Sequence, residues 1–387
     1  MSDIDNSKVG ATQSTTQPEL ASSMALFEGE RIMRGVGVPA LTWFGKGNPD
    51  KPLIVFLPGS AHNARIAYGG HASYVAQDFL AHWLIAQGYN FLGVSYPIAT
   101  NNAVEQVSHP GFTIRSWGRQ AAEIATEIIK ENKLNGKIIL IVWSNGGRSP
   151  QAFTEAAIEL GLEVDFCVSF SATPPNAAIT ILPPDNLPAQ IQMLRTPDGY
   201  INLAHKYDDW YAQIQSNIMP SQVRDIIPKD IYYNDYVGHM PVNLLGQGIA
   251  HHDDGFIPSG LTFIEDSKGY DLASFPLMTT ILTDNIIDSR HALTDQALWS
   301  PFLIGHIYAQ YFEKQNLTPE SIGVKKWRAT VKLLRAAPQQ LSTETTGNHL
   351  FFVGEVGAKE AASNIAQLEQ RVHSFRGKLA KLMRLDK

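Results

Sequence analysis

The chain has one cysteine, Cys167, in 387 residues. No internal disulfide can form, so stability has to come from a packed core, and such sparing cysteine use fits a reducing compartment. No uninterrupted apolar run approaches the ~18 residues that would span a bilayer. No basic start followed by an apolar stretch reads as a signal peptide. The expectation is a soluble, cytoplasmic protein without a membrane partner. Basic charge is also scarce: 31 Lys and Arg against 37 Asp and Glu give a net charge of −6. That balance offers no surface for nucleic acid. Repeats with a period of about 20–50 residues are absent. So are G-x-G-x-x-G after a strand, a Walker sequence and H-E-x-x-H, and no cofactor is expected.

What is present is ordinary globular composition, 44% hydrophobic and 18% charged residues, in a chain long enough for one large α/β domain with an insertion. Residues 1–23, rich in Ser, Thr, Gln and Asp, are expected to form a flexible tail. Ala25–Met33 and Val38–Phe44 alternate as two antiparallel strands, and Leu53–Leu57, Asn90–Val94, Asp165–Phe170, Leu277–Thr283 and Leu341–Thr345 read as further strands. Helical patterns fill Tyr74–Gln87, Ile114–Asn132, Gln151–Leu160, Ala292–Lys314, Pro319–Ala337 and Lys359–Phe375. This alternation predicts the α/β fold class, with a mostly parallel central sheet flanked by helices.

One stretch carries the chemistry. Ile138-Ile139-Leu140-Ile141-Val142 is a strand buried on both faces, followed by Trp143-Ser144-Asn145-Gly146-Gly147 and then a helix. Strand, tight turn and helix is the setting in which a serine is held out of a sheet as a nucleophile. The usual pattern is G-x-S-x-G; here Gly146 fills the second glycine position and Val142 the first. On these residues the chain resembles the α/β-hydrolase superfamily, as an atypical member with a W-S-N-G-G elbow.

The resemblance implies roles for other residues. Ser144 would attack a carbonyl carbon, and His349, in the Gly347-Asn348-His349 loop after the last strand, would be the general base. Asp284, at the end of its strand, would orient that histidine, with Asp288 as the alternative acid; Asp288 could instead cap the next helix, with Ser289 a rival cap. The Ser60 or Ala61 amide in the Pro58-Gly59-Ser60-Ala61-His62 loop, together with the Asn145 amide, would form the oxyanion hole. His62, Arg65, Tyr68 and His71 either edge a pocket or serve as structural polar groups. Residues 176–274 break the strand–helix rhythm and are expected to form an inserted cap over the core of 24–175 and 275–387. The cap's aromatics, among them Tyr207, Trp210, Tyr211, Tyr232 and Tyr233, suit either a hydrophobic ligand or simple packing. His251-His252-Asp253-Asp254 reads as a polar loop, because neighbouring residues in an extended segment point apart, and no metal ligand set is expected.

The implied activity is serine-dependent cleavage of an ester, thioester or lactone of a small hydrophobic or aromatic acyl substrate. Two alternatives stay open. One is carbon–carbon bond cleavage or condensation at the same site, as in secondary metabolism. The other is a non-catalytic ligand-binding protein on the same scaffold.

Overall fold

The computed structural model describes residues 26–102, 107–176, 186–219 and 224–383. The tail expected at 1–23 lies outside the described residues.

Runs of β-branched and aromatic side chains build the middle of the sheet, where both faces are covered. Eight strands form it: β1 (Glu30–Gly35), β2 (Val38–Gly45), β3 (Leu53–Leu57), β4 (Asn90–Val94), β5 (Lys137–Trp143), β6 (Glu163–Phe170), β7 (Met278–Thr283) and β8 (Ser342–Thr345). Their order across the sheet is β1-β2-β4-β3-β5-β6-β7-β8. Only the β1/β2 and β2/β4 pairings are antiparallel; from β4 to β8 every pairing is parallel. Every residue of β3 and β4 is buried, and β5 is buried from Ile138 onward.

Among the described residues the longer helices outside the segment between β6 and β7 are α1 (Leu80–Ala86), α2 (Ile114–Asn132), α3 (Pro150–Glu159), α4 (Ser289–Tyr308), α5 (Val324–Gln340) and α6 (Glu355–Met383). The Thr113 hydroxyl caps α2 by accepting from the Ser116 amide. Helix α6 runs beyond the expected Phe375 because its apolar stripe continues through Leu379 and Met383, both buried. The helix expected over Tyr74–Gln87 is shorter. Phe79 is drawn into extended conformation, where it bridges Val353, so a brief 3₁₀ turn at Ala76–Asp78 is separated from α1.

Between β6 and β7 lie a helix at Tyr207–Gln215, a π-turn at Tyr232–Tyr236, a hairpin joining Ile249–His252 to Gly255–Pro258, and a helix at Gly260–Ser267. Ile214, Tyr232, Tyr236 and Val242 from this segment belong to the same apolar cluster as the sheet. Backbone bonds tie it to the loop after β3: Gly238 N–H donates to Ala61 O at 3.0 Å and Asn63 N–H to Tyr236 O at 3.0 Å. The Asn63 side-chain amide adds a bond to Asp235 O at 2.6 Å. Of the expected polar loop only Asp253–Asp254 form the turn; His251 and His252 are strand residues paired with Phe256 and Gly255, and His251 Nε2 lies 3.4 Å from the Arg195 guanidinium.

A buried ion pair fastens β1 to the same loop. Arg65 donates from Nε and Nη2 to the two oxygens of Glu30 at 2.8 and 2.7 Å, and Tyr68 Oη donates to Glu30 at 2.7 Å. The guanidinium also stacks 3.7 Å over the Phe27 ring. Arg65 and Tyr68 are therefore structural, the second of the two readings made from sequence. Among the described residues no helix is long and apolar enough to cross a membrane.

Candidate active site

Strand β5 ends at Trp143, and the chain reverses through a helical turn, Ser144–Arg148, into α3. Ser144 takes φ +53°, a left-handed conformation rare for a residue with a side chain. The reversal is tight enough to require glycine beside it. A Cβ on Gly146 would lie 2.9 Å from Leu57 O and 3.0 Å from Pro58 O, and one on Gly147 would lie 2.6 Å from Thr173 O. Val142, at the position where the usual pattern has glycine, is buried inside β5 without disturbing this geometry. Two other non-glycine residues with positive φ follow neighbouring strands: Ala61 (+54°) after β3 and Ser171 (+38°) after β6. Each such conformation costs on the order of 1–3 kcal/mol and gathers at functional sites. Here all three stand at the carboxyl ends of adjacent central strands.

His349 follows β8. Its Nδ1 lies 3.0 Å from Asp288 Oδ2. The carboxylate can only accept, so Nδ1 carries the proton and the Nε2 lone pair stays free to take one. The ring is placed from below by Trp143, whose Nε1–H donates to His349 O at 2.9 Å and whose ring centroid lies 5.5 Å from the imidazole. The residue preceding the serine thus sets the backbone of the histidine. Ser144 Oγ has no hydrogen-bond partner among the described residues.

The acid facing His349 is Asp288, and the expectation of Asp284 is corrected. Asp284 sits at the strand end but is exposed, and its two oxygens face the Thr346 hydroxyl and the Gly347 amide, each at 3.3 Å. It therefore steadies the loop leading to His349. The chain then turns through Ile286–Asp288, with the Asn285 side chain accepting from Ile287 N–H, and this turn carries Asp288 back to the imidazole. Asp288 occupies the N-cap position of α4 but makes no side-chain cap bond, which leaves its carboxylate for the histidine. Burial raises the proton affinity of Asp288, but the hydrogen bond and charge of His349 outweigh it and hold the carboxyl below its ordinary range.

The loop after β3 lies directly against the serine: a Cβ on Gly59 would meet Ser144 Cβ at 2.8 Å. Of its two candidate amides, Ala61 N–H is already directed to Met240 Sδ at 3.2 Å. Ser60 N–H makes no hydrogen bond among the described residues. Asn145 N–H is at the start of the helical turn, where intrahelical partners are missing. Its side chain donates to Leu244 O. The Ser60 peptide is held by His62, whose Nδ1–H donates to Ser60 O at 2.9 Å while Nε2 accepts from Tyr232 Oη at 2.9 Å. Burial, the largest influence, holds His62 neutral with a pKa lowered to about 3; the bond to Ser60 opposes this and the charge of His349 adds to it. Sequence reasoning singled out His62 without finding its partner. Tyr232 lies 170 residues away, and no local signal joins the two.

The aromatics between β6 and β7 pack largely on one another. Tyr207 stacks on Trp210, Tyr211 contacts Tyr232 and Tyr233, and Trp210 lies 4.9 Å from the His62 ring. A cavity of about 210 Å³ is lined by Leu41, Asn63, Tyr96, Ile98, His109 and Tyr200 among others; Ser144 and His349 do not line it.

The sheet order, with antiparallel pairings at its start and parallel ones beyond, and the strand–turn–helix at Ser144 are those of an α/β-hydrolase fold. Compared with protein-family models and with curated proteins, the chain matches none. Among solved structures it resembles an AqdC variant described in recognition and ring cleavage of the Pseudomonas quinolone signal, at 12% identity and TM-score 0.46, with 88% of this chain and 99% of that one covered. It also resembles a thermophilic esterase from Thermogutta terrifontis at 12% identity and TM-score 0.45, covering 89% and 99%. A thioesterase domain from the curacin biosynthetic pathway aligns at 12% identity and TM-score 0.39, covering 87% and 98%.

Proposed function

We propose that the protein is a serine hydrolase that cleaves an ester, thioester or lactone of a small hydrophobic or aromatic substrate through an acyl-enzyme. The observation that carries this reading is the Asp288–His349 pair at 3.0 Å, joined through the Trp143–His349 bond to the residue before an elbow serine held at φ +53°. In the reaction Ser144 Oγ adds to the carbonyl carbon as its proton passes to His349 Nε2. Asp288 keeps the imidazole in the required tautomer and stabilises the imidazolium. The developing oxyanion is held by the Ser60 and Asn145 amides, each worth about 10²–10³ in rate where such donors have been removed. His349 then protonates the leaving group, and water attacks the acyl-enzyme with the same base. The segment between β6 and β7 acts as a cap fixed onto the oxyanion loop through Tyr232, Tyr236, Gly238 and Met240.

Steady-state hydrolysis of a panel of p-nitrophenyl and thiophenyl acyl esters tests the reading with wild type, Ser144→Ala and His349→Ala. Activity lost by about 10³-fold or more in both variants supports it. Activity that persists in Ser144→Ala sinks it.

A further inference from the structure

A second acid–histidine pair lies against the first. His291 Nδ1 is 2.8 Å from Asp295 Oδ1, and its ring centroid is 5.3 Å from that of His349. Helical spacing explains the arrangement: Asp288, His291 and Asp295 are spaced i, i+3 and i+7 over the first two turns of α4 and so share one face. A serine hydrolase needs one such pair. The second has no role in acyl transfer, so its chemistry calls for a separate account.

Asp288, His291 and His349 each bring one donor atom within 4.8 Å of the other two, and among the described residues they are the one group of metal-type donors that converges in this way. We propose that these three residues bind a divalent transition-metal ion of the zinc type, and that occupancy takes His349 out of service. Two imidazoles and one carboxylate are a common donor set for zinc, and three protein ligands leave a position for water. The outer shell is already in place. A metal-binding histidine ordinarily donates its remaining N–H to a carboxylate. Asp295, which is buried, receives the Nδ1–H of His291 and leaves its Nε2 lone pair available. Tetrahedral ligands at zinc–nitrogen distances stand about 3.4 Å apart, so the group closes on the ion with a side-chain shift of about an ångström.

The consequence for His349 follows from counting its protons. Coordination through Nε2 uses the lone pair that would accept the Ser144 proton. Coordination through Nδ1, the nitrogen facing Asp288, moves the imidazole proton to Nε2 by exchange with water, with no net change in protons. In both cases the base is blocked. Only this inhibitory half rests on the hydrolase reading; binding of the ion stands without it.

The test uses untagged, full-length protein stripped of metal with a chelator. Zn²⁺ is titrated against a chromophoric competitor, and Co²⁺ binding is followed by its visible absorption. Wild type is expected to bind one equivalent and to lose ester hydrolysis in proportion to occupancy, with recovery on chelation. His291→Gln is expected to keep hydrolysis within about 3-fold and to bind Zn²⁺ about 10–100-fold more weakly, with Asp295→Asn weakening binding in the same direction. Wild type without stoichiometric binding, or His291→Gln with unchanged affinity, overturns the proposal. If wild type hydrolyses no ester, the Co²⁺ spectrum and the His291→Gln affinity still decide the metal site, and the serine reading fails separately.

Discussion

Replacing Asp288 by Asn separates the observed acid from the one the strand end suggested. Nδ1–H of His349 donates to Asp288 Oδ2 over 3.0 Å. An asparagine there can offer its own N–H₂ to Nδ1, which favours the tautomer with the proton on Nε2, where no lone pair remains for Ser144. Loss of the correct tautomer at such a site costs about 10³–10⁴ in kcat, or about 4–5.5 kcal/mol of transition-state stabilisation. Asp284→Asn makes a contrasting control. The carboxylate accepts two bonds of 3.3 Å at an exposed position, and asparagine keeps an acceptor oxygen, so activity should stay within about 3-fold. The assay is steady-state hydrolysis of a p-nitrophenyl ester, with circular-dichroism melts to establish that both variants fold. The reasoning is refuted if Asp284→Asn is the damaging change, or if Asp288→Asn loses less than about 10-fold.

Other outcomes follow from the same structure. His62 is held at about 3, and His71 and His306 at about 4, in each case chiefly by burial. The unfolded chain, with ordinary histidines near 6.5, therefore binds more protons below that value, so stability falls as pH drops from about 6.5 toward 4. Each group contributes about 2 kcal/mol of loss between pH 7 and 5, readable as a falling urea midpoint; a flat profile contradicts the burial of these neutral rings. Glu30→Ala leaves the Arg65 guanidinium buried with much of its pairing gone and should cost about 3–5 kcal/mol in chemical denaturation, with no change in the pH dependence of kcat. Ser144→Gly should abolish activity yet raise stability by about 1 kcal/mol, because glycine carries no penalty at φ +53°. A destabilised Ser144→Gly protein speaks against a strained elbow.

The parts of this molecule that sequence shows well are those where local pattern and global fold agree. β3 and β4 are found at their expected residues, and α2 spans Ile114–Asn132 as its periodicity and its Thr113 cap indicate. The strand and turn around Ser144 were legible because a six-residue apolar run ending in Ser-Asn-Gly-Gly has few other uses. The acid was not. Asp284 and Asp288 differ by one short turn, and which of them returns to the imidazole depends on the backbone path through Asn285, which no residue pattern encodes. The same limit hid Tyr232 behind His62 and Asp295 behind His291. These partnerships arise when distant elements pack, and a donor and acceptor 170 residues apart leave no periodic trace.

The most direct test of the central claim is covalent labelling with a fluorophosphonate, read by intact mass and peptide mapping. An activated nucleophile is predicted to take one adduct, on Ser144, and to take none in Ser144→Ala or at a rate at least about 10²-fold slower in His349→Ala. A folded wild-type protein that stays unlabelled, or that carries the adduct on another residue, contradicts the account.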